Sequence, residues 1–253
     1  MANVCILTSA HSPFDVRIYH CEAESLKKMG LEVTIVAPWK NDKTTSNGIK
    51  MVHWESPWYP PYMGAALPQM VILPARCSLH HGNSQRAIKI QSIPIQNNRF
   101  ERFSKAGFFL YRSALKIDAD IYHFHDPDLL PWMLLLSKRG KRAIYDVHEY
   151  NANSILTKQW IPADFRAPIS RITDWIEKKI SAQFKAIITV NPHMEGIFRS
   201  VNQNVACVGN YPLPWFIEKC TPSEPPMPNL ISYVGRLEKD RGYETIIKTM
   251  DII

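Results

Sequence analysis

The sequence predicts an α/β chain: a doubly wound parallel sheet, followed by the first β-α unit of a second domain of the same kind. Three observations predict it. Short apolar runs end in polar loops at residues 4–8, 32–37, 121–124, 143–147 and 186–190. Between several of them lie segments with apolar residues at helical spacing, as parallel strands with crossover helices require. A proline-rich stretch, residues 211–229, then breaks the pattern, and residues 230–234 begin it again.

Residues 4–8 are the first expected strand. The loop after it, residues 9–16, carries His11, Pro13 and Asp15 but no glycine, so it is neither a dinucleotide fingerprint nor a P-loop. Residues 17–29 read as a helix, because Tyr19, Ala23, Leu26 and Met29 fall on one side and Gly30 stops it. Residues 32–37 are the second strand, which completes a right-handed crossover unit. Asp15 is placed to cap the helix. Arg17, poorly placed for the helix dipole, is either an anion contact or a solvated cation.

Residues 50–55 suggest a further strand. Residues 56–96 are rich in proline and aromatics and have no steady period. They read as an ordered excursion or a membrane-facing loop, with Trp58, Tyr59 and Tyr62 either at a lipid interface or packed in the core. Residues 104–116 are helical, with Phe108, Tyr111 and Leu115 on one face. Strand 121–124 is ended by His125-Asp126-Pro127, since proline lacks a donor and restricts the residue before it.

Residues 129–136 are apolar all round and predict a buried helix, stopped at Gly140. Strand 143–147 ends in His148-Glu149. Residues 168–184 give the clearest amphipathic pattern. Ile169, Ile172, Ile176, Ile180 and Phe184 form one stripe, Glu177, Lys178 and Lys179 face away, and Pro168 suits the first position. Strand 186–190, a short helix from Pro192 and strand 205–208 follow. The expected organisation is a first domain over 1–209, a linker over 210–229 and the start of a second domain over 230–253.

The 253 residues are 45% hydrophobic and 21% charged, an ordinary globular composition. The net charge of +7 fits solubility, an anionic ligand or an anionic membrane surface. No dense Lys/Arg run or reading motif points to nucleic acid. Five widely spaced cysteines without a C-x-x-C suggest a reducing cytosol, with no disulfide framework and no cysteine zinc site. No basic leader with an apolar core is visible, and no apolar run approaches the ~20 residues that span a bilayer. The expectation is a cytoplasmic protein.

His11, His125 and His148 each follow a strand at its carboxyl end, with Asp126, Asp128, Asp146 and Glu149 beside them. Ligands bind at that edge of open parallel sheets. One such histidine alone is a satisfied loop residue; three at equivalent positions point to a site. His123 and His125 share one strand face, and Asp146 and His148 repeat the spacing, so a zinc hydrolase is one reading. Against it, His123 lies inside an apolar run and no two histidines sit one helical turn apart. No Gly-x-Ser-x-Gly elbow supports a serine hydrolase. Arg236 and Arg241 flank a glycine-bounded turn, where two guanidiniums clamp a diphosphate or form a solvated charge run with Lys239.

Six segments carry a resemblance: HSPFDVRIYHCEAESLKKMG, DADIYHFHDPDLLP, AIYDVHEY, AIITVNPHM, VGNYP and YVGRLEKDRGYETII, spread over residues 11–247. Together, and in this order, they resemble the family-four glycosyltransferases of the GT-B fold, more narrowly the bacterial members that build capsule, O-antigen and exopolysaccharide. The resemblance implies two Rossmann-like domains, the first binding a lipid-linked or polysaccharide acceptor and the second a nucleotide sugar. It implies retention of configuration, no resident cofactor and no bound metal. By position, it sets His125 near the reacting sugar. His11, Asp15, Arg17, Asp126, His148 and Glu149 would line the acceptor side, and Arg236 and Arg241 the donor diphosphate. The family usually has a lysine where Arg241 stands. A sugar-nucleotide epimerase is a more distant resemblance.

The family's paired-glutamate motif, which grips the donor sugar, has no counterpart before Ile253. The expectation is therefore a truncated transferase, inactive alone, or a non-catalytic half that binds acceptor or partner.

Overall fold

The structure is a computed structural model, and it describes residues 2–39, 43–44, 50–51, 88–95, 98, 101–212, 233 and 242–250. Its strands are β1 (Asn3–Leu7), β2 (Glu32–Pro38), β3 (Lys43–Thr44), β4 (Lys50–Met51), β5 (Lys89–Ile93), β6 (Ile121–Phe124), β7 (Arg142–Val147), β8 (Ala186–Thr189) and β9 (Val205–Cys207). Helix α1 is wound as a π-helix over Val16–Ala23 and continues as an α-helix over Glu24–Lys28. Helix α2 does the same over Arg102–Ala106 and Gly107–Ile117. Helix α3 opens as a 3-10 turn, Pro127–Leu129, and runs on over Leu130–Lys138. Then come α4 (Asn151–Thr157), α5 (Ala163–Ser181), α6 (Pro192–Arg199) and α7 (Tyr243–Met250).

Seven strands form one parallel sheet in the order β5-β2-β1-β6-β7-β8-β9, and β3 and β4 form an antiparallel pair. This is the α/β, Rossmann-like sheet expected from the sequence. Winding reverses between β1 and β6, and in open parallel sheets ligands bind at the carboxyl ends of the strands beside such a reversal. Side chains alternate across the sheet, so each face has its own core. Cys5, Leu7, Tyr122, Phe124 and Tyr145 pack with α2, α3 and α6 on one face. Val4, Ile6, Val33 and Ile35 pack with Ile18, Tyr19 and Ala23 of α1 on the other. Gly140 takes φ +79°, a left-handed stop that glycine adopts without strain, between α3 and β7.

Several expectations are corrected. Strand β5 forms within the region without period, because edge pairing to β2 asks for backbone partners rather than an apolar pattern. Helix α4, unforeseen, follows β7. In α2 the buried residues are Gly107, Leu110, Tyr111, Ser113 and Ala114, while Phe108 and Leu115 are exposed. The helix approaches α3 closely at Gly107, where a Cβ would collide with the Trp132 indole. Helix α3 is one-sided, with Leu130, Met133 and Leu136 inward and Leu135 exposed.

Helix α5 departs most. It begins five residues before Pro168, which lies inside it. Ile169, Ile172 and Ile176 are exposed, whereas Ser170, Glu177 and Ser181 are buried; Ile180 and Phe184 do reach the core. The polar side turns inward because partners wait there. Tyr145 Oη donates to Glu177 Oε1 at 2.9 Å, Asn151 Nδ2 donates to the same atom at 2.8 Å, and Ser170 Oγ donates to the Ala152 carbonyl at 2.8 Å.

The chain divides into two units, Met1–Tyr211 and Pro212–Ile253. The second contains α7. The expected strand 230–234 is described only at Tyr233, and Arg236 and Arg241, like Trp58, Tyr59 and Tyr62, lie outside the described residues. Among the described residues no helix is long and apolar enough to cross a membrane.

Candidate active site

Strand register explains the convergence. His123 pairs with Ile6 of β1 and Ile144 of β7. His125, Asp146 and His148 lie two or four residues on and therefore share its face, the one covered by α1. That helix supplies Arg17 and Glu22. In an α-helix residues five apart point about 140° away from each other. The π winding of Val16–Ala23, with i→i+5 hydrogen bonds, stacks them instead. Arg17 Nε lies 3.0 Å from Glu22 Oε1.

Arg17 is the hub. Its Nη2 donates to both oxygens of Asp146, at 3.0 and 2.9 Å. Its Nη1 donates to the Val208 carbonyl at 3.0 Å and to Asn210 Oδ1 at 2.7 Å, tying the end of the first unit to the sheet. His123 Nε2 sits 3.2 Å from Asp146 Oδ2. His125 Nε2 is 3.1 Å from Glu22 Oε2, and its Nδ1 is 3.0 Å from His148 Nε2.

The electrostatics follow from burial and pairing. Burial alone favours a neutral Asp146, but hydrogen bonds from His123 and His148 hold its carboxyl well below the usual range. Burial also opposes a charge on His123, yet Asp146 and Glu22 outweigh it and raise its pKa. For His125 burial wins, despite Glu22, and its pKa is lowered. A neutral His125 has one ring proton. Glu22 Oε2 lies 3.1 Å from Nε2, and Nδ1 shares the 3.0 Å contact with His148 Nε2, whose donor and acceptor depend on the tautomer.

The β1 loop forms the second part of the rim. Asp126 Oδ2 accepts from Thr8 Oγ1 and Ser9 N, both at 2.7 Å, and from Ala10 N at 3.3 Å. Burial is outweighed by the His11 charge and these hydrogen bonds, so the Asp126 carboxyl is lowered. Asp128 accepts from Ser9 Oγ at 2.7 Å and from Arg102 Nε at 3.2 Å. Burial and then the neighbouring Asp126 charge raise its pKa. His11 sits 3.6 Å from Asp15 and 3.7 Å from Asp126, with its ring 5.7 Å from that of His148. Asp15 caps α1, accepting from Arg17 N at 2.9 Å and Ile18 N at 3.3 Å.

Glu22, His123, His125 and Asp146 each offer one donor atom within 4.8 Å of the others, the geometry of a metal cluster. The Arg17 guanidinium also lies against both carboxylates, so the same groups form a buried ion-pair network.

Of the predicted residues, the structure brings His11, Asp15, Asp126, His125 and His148 to one rim. Arg17 is turned inward, neither solvated nor lining the loop. The His125 ring is covered, its side chain 0% exposed against 23% for His148. Glu149 is exposed and accepts from Ser154 Oγ at 3.5 Å, apart from the histidines. Glu22 was missed; its signal was an acid five residues after an arginine, invisible at α-helical spacing.

Among solved structures, the chain is similar to sucrose-phosphate synthase from Thermosynechococcus elongatus, at 14% identity and TM-score 0.56, covering 100% of this chain and 60% of that one. It thus spans 60% of that enzyme's length. Weaker likenesses are to UGT89C1 of Arabidopsis thaliana complexed with UDP (11% identity, TM-score 0.45, 88% of this chain and 55% of that one) and to MurG of Acinetobacter baumannii (12%, 0.39, 89% and 50%). No curated protein matches the sequence significantly. The family model for Glycosyltransferase Family 4 matches residues 17–210, from the arginine hub to the asparagine that receives it. The chain belongs to Glycosyltransferase Family 4.

Proposed function

We propose that this chain is the acceptor-side part of a glycosyltransferase that moves a sugar from a nucleotide-diphosphate donor to a lipid-linked or polysaccharide acceptor, with retention, in surface polysaccharide synthesis. The observation that carries the reading is the His125–His148 pair at the carboxyl edge of the sheet, beside the switch point, in a chain of this family. His125 serves the reacting sugar through His148, whose outer ring nitrogen meets a sugar hydroxyl. Glu22 and Asp146 hold both rings from behind. Arg236 and Arg241 stabilise the charge that develops on the diphosphate leaving group as the glycosidic bond breaks. No metal or other cofactor takes part, and the protein works at the cytoplasmic face of an anionic membrane.

The test is transfer of labelled sugar from a panel of nucleotide sugars to lipid-linked acceptor, by the chain alone and by the chain joined to the donor-binding domain of a family relative. Turnover is expected from the fusion, unaffected by chelator. His125→Ala and His148→Ala should each lower kcat by about 10²-fold or more, and the double variant by little further, because the two act as one unit. A fusion that binds nucleotide sugar yet transfers nothing would sink the proposal.

A further inference from the structure

The outer face of α5 has an apolar stripe in the wrong place for a water-facing helix. Phe165, Ile169, Ile172 and Ile176 recur at spacings of four, three and four, hence on one side, and are 38% to 60% exposed. Trp175, beside them, is 60% exposed. Single exposed apolar residues are ordinary, but a continuous stripe along a helix marks an interaction surface. The helix is not short of an inward face, since Ser170, Glu177 and Ser181 are buried and hydrogen-bonding groups of α4 and β7 meet that side.

Charge selects the occupant. Residues 156–182 carry five basic and three acidic side chains, and one of the three, Glu177, is buried. Asp174 is engaged by Lys178 at 2.9 Å and by Tyr150. Lys179 is exposed on the stripe's side, its Nζ 4.6 Å over the Trp175 ring, and Arg171 is exposed on the flank one turn before Trp175. An apolar strip with tryptophan at its edge and cations beside it is the composition of a helix that lies in a membrane interface: the strip enters the acyl boundary and the cations meet anionic headgroups. A second copy of this chain would set those cations against each other.

We infer that the Phe165–Ile176 face of α5 is a docking surface for an anionic lipid bilayer, which the helix meets lying flat. The inference rests for its occupant on the membrane-associated role proposed above, and adds where the contact is made. Docking there would hold the protein at the surface that contains a lipid-linked acceptor.

The experiment is co-sedimentation of the purified 253-residue chain with phosphatidylcholine vesicles, with and without phosphatidylglycerol. Binding is expected only with phosphatidylglycerol, and it weakens with salt. Ile172→Ser with Trp175→Ser should weaken it at least about tenfold, and Arg171→Glu with Lys179→Glu about tenfold with loss of the salt dependence. All four positions are exposed, so circular dichroism should show an unchanged fold. Absence of binding, or binding that neither variant reduces, overturns the inference. So does concentration-dependent self-association abolished by the serine variant without vesicle binding, which would assign the stripe to a second copy. Transfer to a water-soluble acceptor, measured in the fusion, should be untouched by these variants. Its absence in the unmutated fusion would count against the transferase reading alone.

Discussion

The rim of β6 and β7 and the outer face of α5 both invert the usual partition of side chains. At the rim, Arg17, His123, His125 and Asp146 are buried. On α5, isoleucine and tryptophan face water while Glu177 lies inside. The two inversions are resolved differently. Each buried charge at the rim finds its countercharge within the chain, on α1, β6 or β7. The α5 stripe finds no such cover among the described residues. A buried charge left uncompensated destabilises the fold itself, so its partners must fold with it. An exposed apolar strip costs little until a partner arrives, so its partner can be external.

Breaking the rim should have the largest effect. Asp146→Ala leaves Arg17 and His123 buried with Glu22 as their one remaining shared carboxylate, and should cost about 3–5 kcal/mol in urea unfolding. Arg17→Met combined with Asp146→Leu removes both charges and should recover part of that loss. If the double variant is less stable than Asp146→Ala, the network is more than mutual compensation.

Much of this was legible beforehand. The strands followed from short apolar runs, and the rim from histidines at three strand ends, because period-two alternation carries register without knowledge of neighbours. Glu22 was not legible, since π winding replaces the spacing by which helical pairs are recognised. The face of α5 was misread for a related reason. Hydrophobic periodicity identifies the apolar side of a helix, not which side meets the protein. Only Tyr145 and Asn151, far apart in sequence, decide that Glu177 goes in.

A milder break is Asp15→Asn, which keeps the helix cap but removes the ion pair with His11. Burial opposes the Asp15 charge, but the His11 hydrogen bond and charge prevail and lower its pKa to about 2 from an ordinary 3.8. That stabilisation is complete above pH 3.8 and is lost as pH falls toward 2. The pKa of His11 is raised above 6.5, chiefly by Asp15, so its share is complete below pH 6.5 and is lost at higher pH. The variant should therefore be less stable by about 1–2 kcal/mol, after allowance for solvent around a partly exposed pair, mainly between those limits. Urea midpoints across pH would show whether the deficit peaks there.

Inside α5, Glu177→Gln should act in the opposite sense. Burial raises the Glu177 pKa, so its contribution is favourable while protonated and is lost as pH rises through the raised value. Glutamine keeps an acceptor for Tyr145 and Asn151 without the charge. The variant should match the parent near pH 4 and exceed it by about 1 kcal/mol near pH 8. A constant difference across that range would mean that the glutamate stays neutral throughout.

The smallest effect on stability belongs to the outer face, and its smallness is the point. Ile172 is 57% exposed, so Ile172→Ser removes little area from the protein's own packing. Substitutions at such positions usually stay within about 0.5 kcal/mol, where a core isoleucine cut back this far costs about 2–5 kcal/mol. A thermal scan should therefore place Ile172→Ser near the parent and far above Asp146→Ala. A loss of several degrees would mean that Ile172 is already covered in solution, by this chain or another copy. The contrast between a self-compensated rim and a face open to an external partner would then fail. A neutral result leaves the stripe with no role in folding, and lets any loss of vesicle binding be read as loss of the contact itself.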